Sequence, residues 1–173
     1  MTINRPDPSE FAPFYAGYVR QVPDSGPGAV LKEQIGDLEK LRALPEDTGN
    51  HAYAEGKWTV KELIGHLADA ERVFSYRLTR IARGDQTPLA GFDENAWAKA
   101  ARHGQRRMAD VVDEMIAIRR ATLALVDSLD ESSIGNVGVA NNNPVSARAV
   151  CWIMAGHTIH HLDVLRERYG VPF

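Results

Sequence analysis

Three of the chain's six histidines, His157, His160 and His161, fall within five residues. Imidazole is the commonest protein ligand for zinc and its neighbours. Residues four apart on an α-helix project from one face, about 40° apart in azimuth, so His157 and His161 can share one ion. His66, in Gly65-His66-Leu67-Ala68-Asp69-Ala70-Glu71, sits on a separate helical pattern. Two imidazoles from one helix and a third from another would leave metal positions open to water or substrate. A bound water would have its pKa lowered towards about 7, which supports hydrolysis. A thiol in its place would become a thiolate and lead to S-transfer. Both reactions need the same ligands, so the sequence does not separate them.

The phase of the helices tests these assignments. Val150, Ile153, Met154, Val164 and Leu165 define an apolar stripe with His157 and His161 at its centre and His160 at its edge. Spacing alone also permits a His157–His160 pair. An imidazole in the middle of a core stripe needs a partner or carries a desolvation cost, and one shared metal serves two such residues a turn apart. His66 lies on the flank of its own stripe, Asp69 further round, and Arg77 close to the stripe. Periodicity does not decide whether His66 is a ligand. His51 and His103, in or near loops without partner spacing, read as ordinary hydrogen-bonding residues. Asp69, one turn beyond His66, reads either as a group that orients an imidazole or acts as a base, or as a solvent-facing acid. No residue is assigned a catalytic role. Cys151 reads as an inert buried thiol, and Trp58, Trp97 and Trp152 as packing residues.

Four long helical patterns position these residues, and no convincing strand is legible. A short helix is expected within Glu10 to Val22, with Phe11, Phe14, Tyr15 and Tyr18 on one side. The first long helix runs from about Val30 to Leu44, with Leu31, Ile35, Leu38 and Leu41 at helical spacing. The second opens at Thr59, which has the capping-box spacing to Glu62, and closes at Gly84. Asp93 caps a short helix through Ala101. The third covers about Met108 to Leu129, with Val111, Met115, Ile118, Thr122 and Leu125 on its stripe. Ser132 to Asn143 reads as a loop, and Asn143-Pro144 as N-cap and first residue of a fourth helix that ends at Tyr169. An all-α, antiparallel four-helix bundle follows, with short extra helices at the N-terminus and between helices 2 and 3.

A chain of 173 residues with 44% hydrophobic and 25% charged content fits one globular domain, here residues 1–173 with a core at about 28–170. The net charge of −3 gives no sign of nucleic-acid or membrane-surface binding. Arginines interleaved with acids, as in Glu71-Arg72 and Arg166-Glu167-Arg168, read as solvated helix faces. The single cysteine is compatible with a cytoplasmic setting. No apolar run spans a bilayer, and Met1 to Pro8 lacks the hydrophobic core of a secretory signal.

The chain resembles the DinB/YfiT-like superfamily, a group of bacterial metal-dependent enzymes. The resemblance rests on Gly56-Lys57-Trp58-Thr59-Val60-Lys61-Glu62, on Gly65 to Glu71, and on Gly156-His157-Thr158-Ile159-His160-His161. The run Tyr76 to Asp85 and Gly91-Phe92-Asp93-Glu94 look like a subgroup of it. The likeness spans about residues 28 to 170. It implies a four-helix bundle with one divalent metal, zinc or nickel, held by His66, His157 and His161. It also implies a small-molecule substrate, a homodimer, and either hydrolysis or transfer to a low-molecular-weight thiol cosubstrate such as bacillithiol, mycothiol or glutathione. The rival readings are a non-catalytic metal or small-ligand binding bundle, and a bundle whose histidines only hydrogen-bond. No carboxylate is placed to complete a two-His-one-carboxylate triad, which disfavours oxygen chemistry.

Overall fold

A computed structural model describes residues 2–173, and Met1 lies outside the described residues. Two short 3₁₀ turns, Pro8–Glu10 and Pro13–Tyr15, lead into α1 (Ala16–Gln21). The long helices are α2 (Pro27–Arg42), α4 (Val60–Ala82), α6 (Met108–Asp127) and α8 (Ala147–Glu167). Between them lie the short α3 (Glu46–Gly49), α5 (Glu94–Ala101) and α7 (Glu131–Ile134). No helix among the described residues is long and apolar enough to cross a membrane.

The four-helix bundle is as the patterning implies, and its start signals work as read. The Thr59 hydroxyl accepts from the Glu62 amide, and the Glu62 carboxylate accepts from the Thr59 amide at 2.8 Å, which fixes the first turn of α4. Asp93 caps α5 through the Ala96 amide.

Around the bundle the order is α2, α6, α4, α8, so chain neighbours α2 and α4 stand on a diagonal, as do α6 and α8. Side-chain pairs give the directions. Arg119 meets the Leu31 carbonyl while Arg42 meets Asp113, so α2 and α6 are antiparallel. Phe74 and Leu78 share an apolar cluster with Val150, whereas Leu63 and Leu67 share another with Leu162 and Leu165, so α4 and α8 are antiparallel too. Lys61 and Met108 both flank Gly49 at one end, and Arg83 and Leu125 line one groove at the other. Hence α4 runs parallel to α6. Gln34 reaches the Ala155 carbonyl and Asp37 reaches Arg166, which makes α2 parallel to α8. The antiparallel relation thus holds across two lateral contacts, and parallel packing across the other two.

The single-turn helices α3 and α7 stand in connections where no helix is expected, and the segment after α7 departs further. Residues 132–146 are neither plain loop nor helix start: β1 (Val137–Ala140) and β2 (Asn143–Ser146) form an antiparallel hairpin. Asn141 and Asn142 take φ of 49° and 60°, the left-handed pair that a two-residue hairpin turn demands and that Asn tolerates. Pro144 is tolerated because β2 is the outer strand; β1 carries the further backbone bonds to Leu89. The cap of α8 is Ser146, not Asn143.

The core divides into two apolar clusters. One holds Leu31, Phe74, Leu78, Val126 and Ile153; the other holds Leu38, Leu63, Leu67, Met115 and Leu162. Between them runs a buried polar layer of Gln34, His66, Glu71, Arg119, His157 and Thr158. The reading of Glu71-Arg72 as a solvated face fails for Glu71, which is buried against Arg119.

Candidate metal centre

His66 on α4 faces His157 and His161 on the antiparallel α8. The Nε2 atoms of His66 and His157 stand 3.2 Å apart, and those of His157 and His161 stand 3.1 Å apart. The three donor atoms lie within 4.8 Å of one another, the one group of three or more candidate ligands among the described residues. Hydrogen bonding accounts poorly for this arrangement. A neutral ring nitrogen carries either one proton or one in-plane lone pair, so His157 Nε2 serves one neighbour, not two. The Nδ1 of His161 is also buried without a partner. Ligands about 2.0–2.1 Å from one ion stand about 3.0–3.4 Å apart in octahedral or tetrahedral geometry, close to the spacings found. The donor set therefore fits a divalent transition metal.

Burial keeps the donors ready. It lowers the His66 pKa to about 4, against a smaller upward pull from Asp69. It lowers His161 to about 3, helped by His66 and His160, and pushes His157 well down. All three rings are neutral at pH 7, the state that binds metal. The indole of Trp58 lies over His66 at 4.8 Å, and Phe74 stands edge-on to His157 at 5.5 Å. Tyr18 also meets His157 edge-on, at 5.4 Å. That last contact depends on Gly156, where a Cβ would sit 2.0 Å from the Tyr18 carbonyl oxygen, so the missing side chain lets α1 lie against α8.

The remaining candidates separate cleanly. His160 packs against Tyr18 and is not in the cluster. His51 is exposed, and His103 is buried against Gly65, with Nε2 3.4 Å from Asp69. Asp69 thus contacts the ring of His103 and the guanidinium of Arg72, and forms no bond to His66, His157 or His161. Glu71 is committed to Arg119. No carboxylate joins the three imidazoles. Trp152 is a packing residue, fully buried with its indole N–H on the Ile3 carbonyl. Trp58 is not merely packing: it covers His66 and lines a cavity. Its position just before the Thr59 cap was the available signal, since a residue there is held at the mouth of α4.

Two cavities flank the histidines. One, of about 360 Å³, reaches His161 and is lined by Tyr53, Lys57, Trp58 and Arg168. The other, of about 350 Å³, reaches His157 from the side of α1 and α5. An ion held by the three imidazoles would be approached from both.

The fold and the site together define a four-helix bundle with a three-histidine centre. Residues 31–165 match the model of the DinB superfamily, and the chain belongs to that superfamily. A relative in Bacillus licheniformis, described as a "putative metal-dependent hydrolase", is 28% identical over 156 residues, covering 81% of this chain and 87% of its own. One with the same description in Oceanobacillus iheyensis is 25% identical over 130 residues, covering 72% of each. Among solved structures, YfiT from Bacillus subtilis, described as a probable metal-dependent hydrolase with an unusual four-helix bundle topology, superposes with a TM-score of 0.73 at 18% identity. That match covers 96% of this chain and 94% of YfiT. The mycothiol-dependent maleylpyruvate isomerase superposes with a TM-score of 0.66 at 14% identity, over 84% of this chain and 62% of the isomerase.

Proposed function

We propose that the protein is a metal-dependent enzyme of hydrolytic type, with one zinc or nickel ion held by His66, His157 and His161. The observation that carries this reading is the convergence of three neutral Nε2 atoms at spacings of 3.1 and 3.2 Å, which hydrogen bonding does not explain. The descriptions of its relatives as metal-dependent hydrolases support it. When bound, the ion acidifies a water or thiol at neutral pH and polarises an oxygen of the substrate.

The chain's own residues supply the rest. Neutral imidazoles add no negative charge, so the donor set leaves the ion electrophilic. Trp58 and Phe74 shield the ligand rings from water. Arg119 binds the Thr158 hydroxyl at 3.0 Å, which anchors the turn of α8 that carries His157.

A second reading is thiol-dependent S-transfer. The two cavities favour it, because a bimolecular transfer needs separate places for thiol and acceptor. The basic rim of the His161 cavity, Lys57 and Arg168, suits an anionic thiol.

Elemental analysis of protein purified without a histidine tag or added metal tests the site, beside a His157→Ala/His161→Ala double variant. The expected result is about one equivalent of zinc or nickel in the parent, lost in the variant. Metal at 100 times its dissociation constant should also stabilise the parent by about 2.7 kcal/mol and leave the variant unmoved. A parent that neither carries nor takes up either metal overturns the proposal. A parent that holds metal but turns over neither ester and amide nor thiol-acceptor substrates is a binding protein instead.

A further inference from the structure

The cavity that reaches His157 holds a second unmet group, Arg77 on α4. The residue is only 5% exposed, yet its guanidinium meets only neutral groups, the Ala90 carbonyl at 2.9 Å and the phenol of Tyr15. Its Nε is buried with no partner, and it forms no ion pair with an acidic side chain among the described residues. A buried cation left so is costly, because its hydration is lost and nothing replaces it. Arg119 is the internal control: fully buried, it meets both oxygens of Glu71 and three further acceptors. No carboxylate of the described residues meets Arg77 as Glu71 meets Arg119.

The walls narrow the choice. Besides Arg77 and His157, the cavity presents Tyr15, Tyr18, Phe74 and Glu94. The phenol of Tyr15 stands beside the guanidinium. The five phenylalanine and tyrosine rings of the lining, with Phe14 and Phe92 added to these, suit a compact, partly apolar body, and about 350 Å³ is at the small end of small-molecule sites. Glu94, exposed at the rim, comes from α5, which packs on α4. With one buried cation and one carboxylate of its own, the cavity favours a monoanion at the Arg77 end over a phosphate dianion. A guanidinium fork matches the two oxygens of a carboxylate.

We propose that this cavity takes a small substrate bearing a carboxylate, which Arg77 receives while the reacting end of the molecule faces His157. The reacting step rests on the metal reading given above; the binding step does not, and the two are tested apart.

The test is calorimetric titration of the full chain with benzoate, benzamide and inorganic phosphate, before and after treatment with a chelator. Metal content is measured on the same samples. Benzoate should bind in both states, with benzamide and phosphate weaker by about tenfold or more. Arg77→Gln should weaken benzoate by about tenfold or more, and Arg77→Lys, which keeps the charge but loses the fork, by less. Glu94→Gln should bind benzoate more tightly, because a like charge is gone. Circular dichroism checks each variant; if Arg77→Gln does not fold, the Arg77→Lys variant and the three-ligand comparison in the parent decide. Equal binding of benzoate and benzamide, preference for phosphate, no benzoate binding, or benzoate binding that vanishes with the chelator and ignores Arg77 would each overturn the proposal. A metal-free parent that still binds benzoate through Arg77 removes the enzyme reading and keeps the pocket. A metal-bearing parent whose benzoate binding is indifferent to Arg77 does the reverse.

Discussion

His157 and Thr158 are consecutive residues of α8, yet they belong to two buried polar clusters of opposite character. Thr158 joins the cluster of Arg119, where the guanidinium spends its donors on Glu71, Gln34, the Leu31 carbonyl and the Thr158 hydroxyl. That cluster closes on itself and ties all four long helices together. His157 joins two other rings whose nitrogens face one another, with the His161 Nδ1 left over. Both clusters bear a desolvation cost, the larger for the charged Arg119–Glu71 pair, but only that pair recovers it from within the chain. A buried polar group with every partner supplied is architecture. One whose donor atoms converge without partners, as the three imidazoles do, is the place to look for a bound group.

The largest expected effect breaks the closed cluster. Glu71→Ala leaves the Arg119 charge buried and uncompensated, which costs about 3–5 kcal/mol of stability. Chemical denaturation at pH 7 measures it. The metal stoichiometry of the folded fraction should stay that of the parent, because Glu71 touches no ligand histidine. Loss of metal in folded Glu71→Ala protein would mean that the two clusters are one functional unit, and the comparison would fail.

A middling effect is expected at the seam that brings Tyr18 to His157. Gly156→Ala puts a Cβ where the Tyr18 carbonyl oxygen lies 2.0 Å away, and backbone cannot step aside as a flexible side chain can. Overpacking of this kind costs about 1–3 kcal/mol, although alanine is otherwise the better helix former. Thermal melts give the cost. An unchanged or raised Tm would show that α1 is not wedged against α8 as described.

Much of this was legible in the residues. Thr59 with Glu62 and Asp93 before α5 announced their helices because capping is a local matter, settled within one turn. The pair His157 and His161 stood out by spacing and phase; His66 needed the family resemblance, because its place on the flank of a stripe is ambiguous until the partner helix is known. Arg77 lay close to its stripe in the sequence, an anomaly whose meaning waited for the cavity. The Glu71–Arg119 pair was hidden, because its members are 48 residues apart and each looks like an ordinary helix-face charge. The hairpin was missed because Asn143-Pro144 satisfies the rule for a helix start, while the turn residues Asn141 and Asn142 signal only through backbone angles that a residue pattern leaves open. The two cavities arise from side chains of several elements, which no single stretch of chain contains.

The smallest expected effect concerns Cys151, one turn and a half before His157 on α8 and the only thiol of the chain. Burial pushes its pKa up to about 12, because a thiolate has no water or cation to stabilise it there. In the native protein at pH 8 it should resist iodoacetamide, and it should react fully once denaturant unfolds the chain. The sign of the pH dependence follows. The unfolded thiol ionises near its ordinary value of about 8.5 and the folded one does not, so this group's contribution is complete below pH 8 and is lost as pH rises. At pH 9 the loss is on the order of 1 kcal/mol, read as the difference between the parent and Cys151→Ala. Rapid native alkylation would place the thiol in one of the open cavities and give the centre a nucleophile of its own. Resistance leaves the histidines and Arg77 as the basic groups of the polar interior that lack a full set of partners.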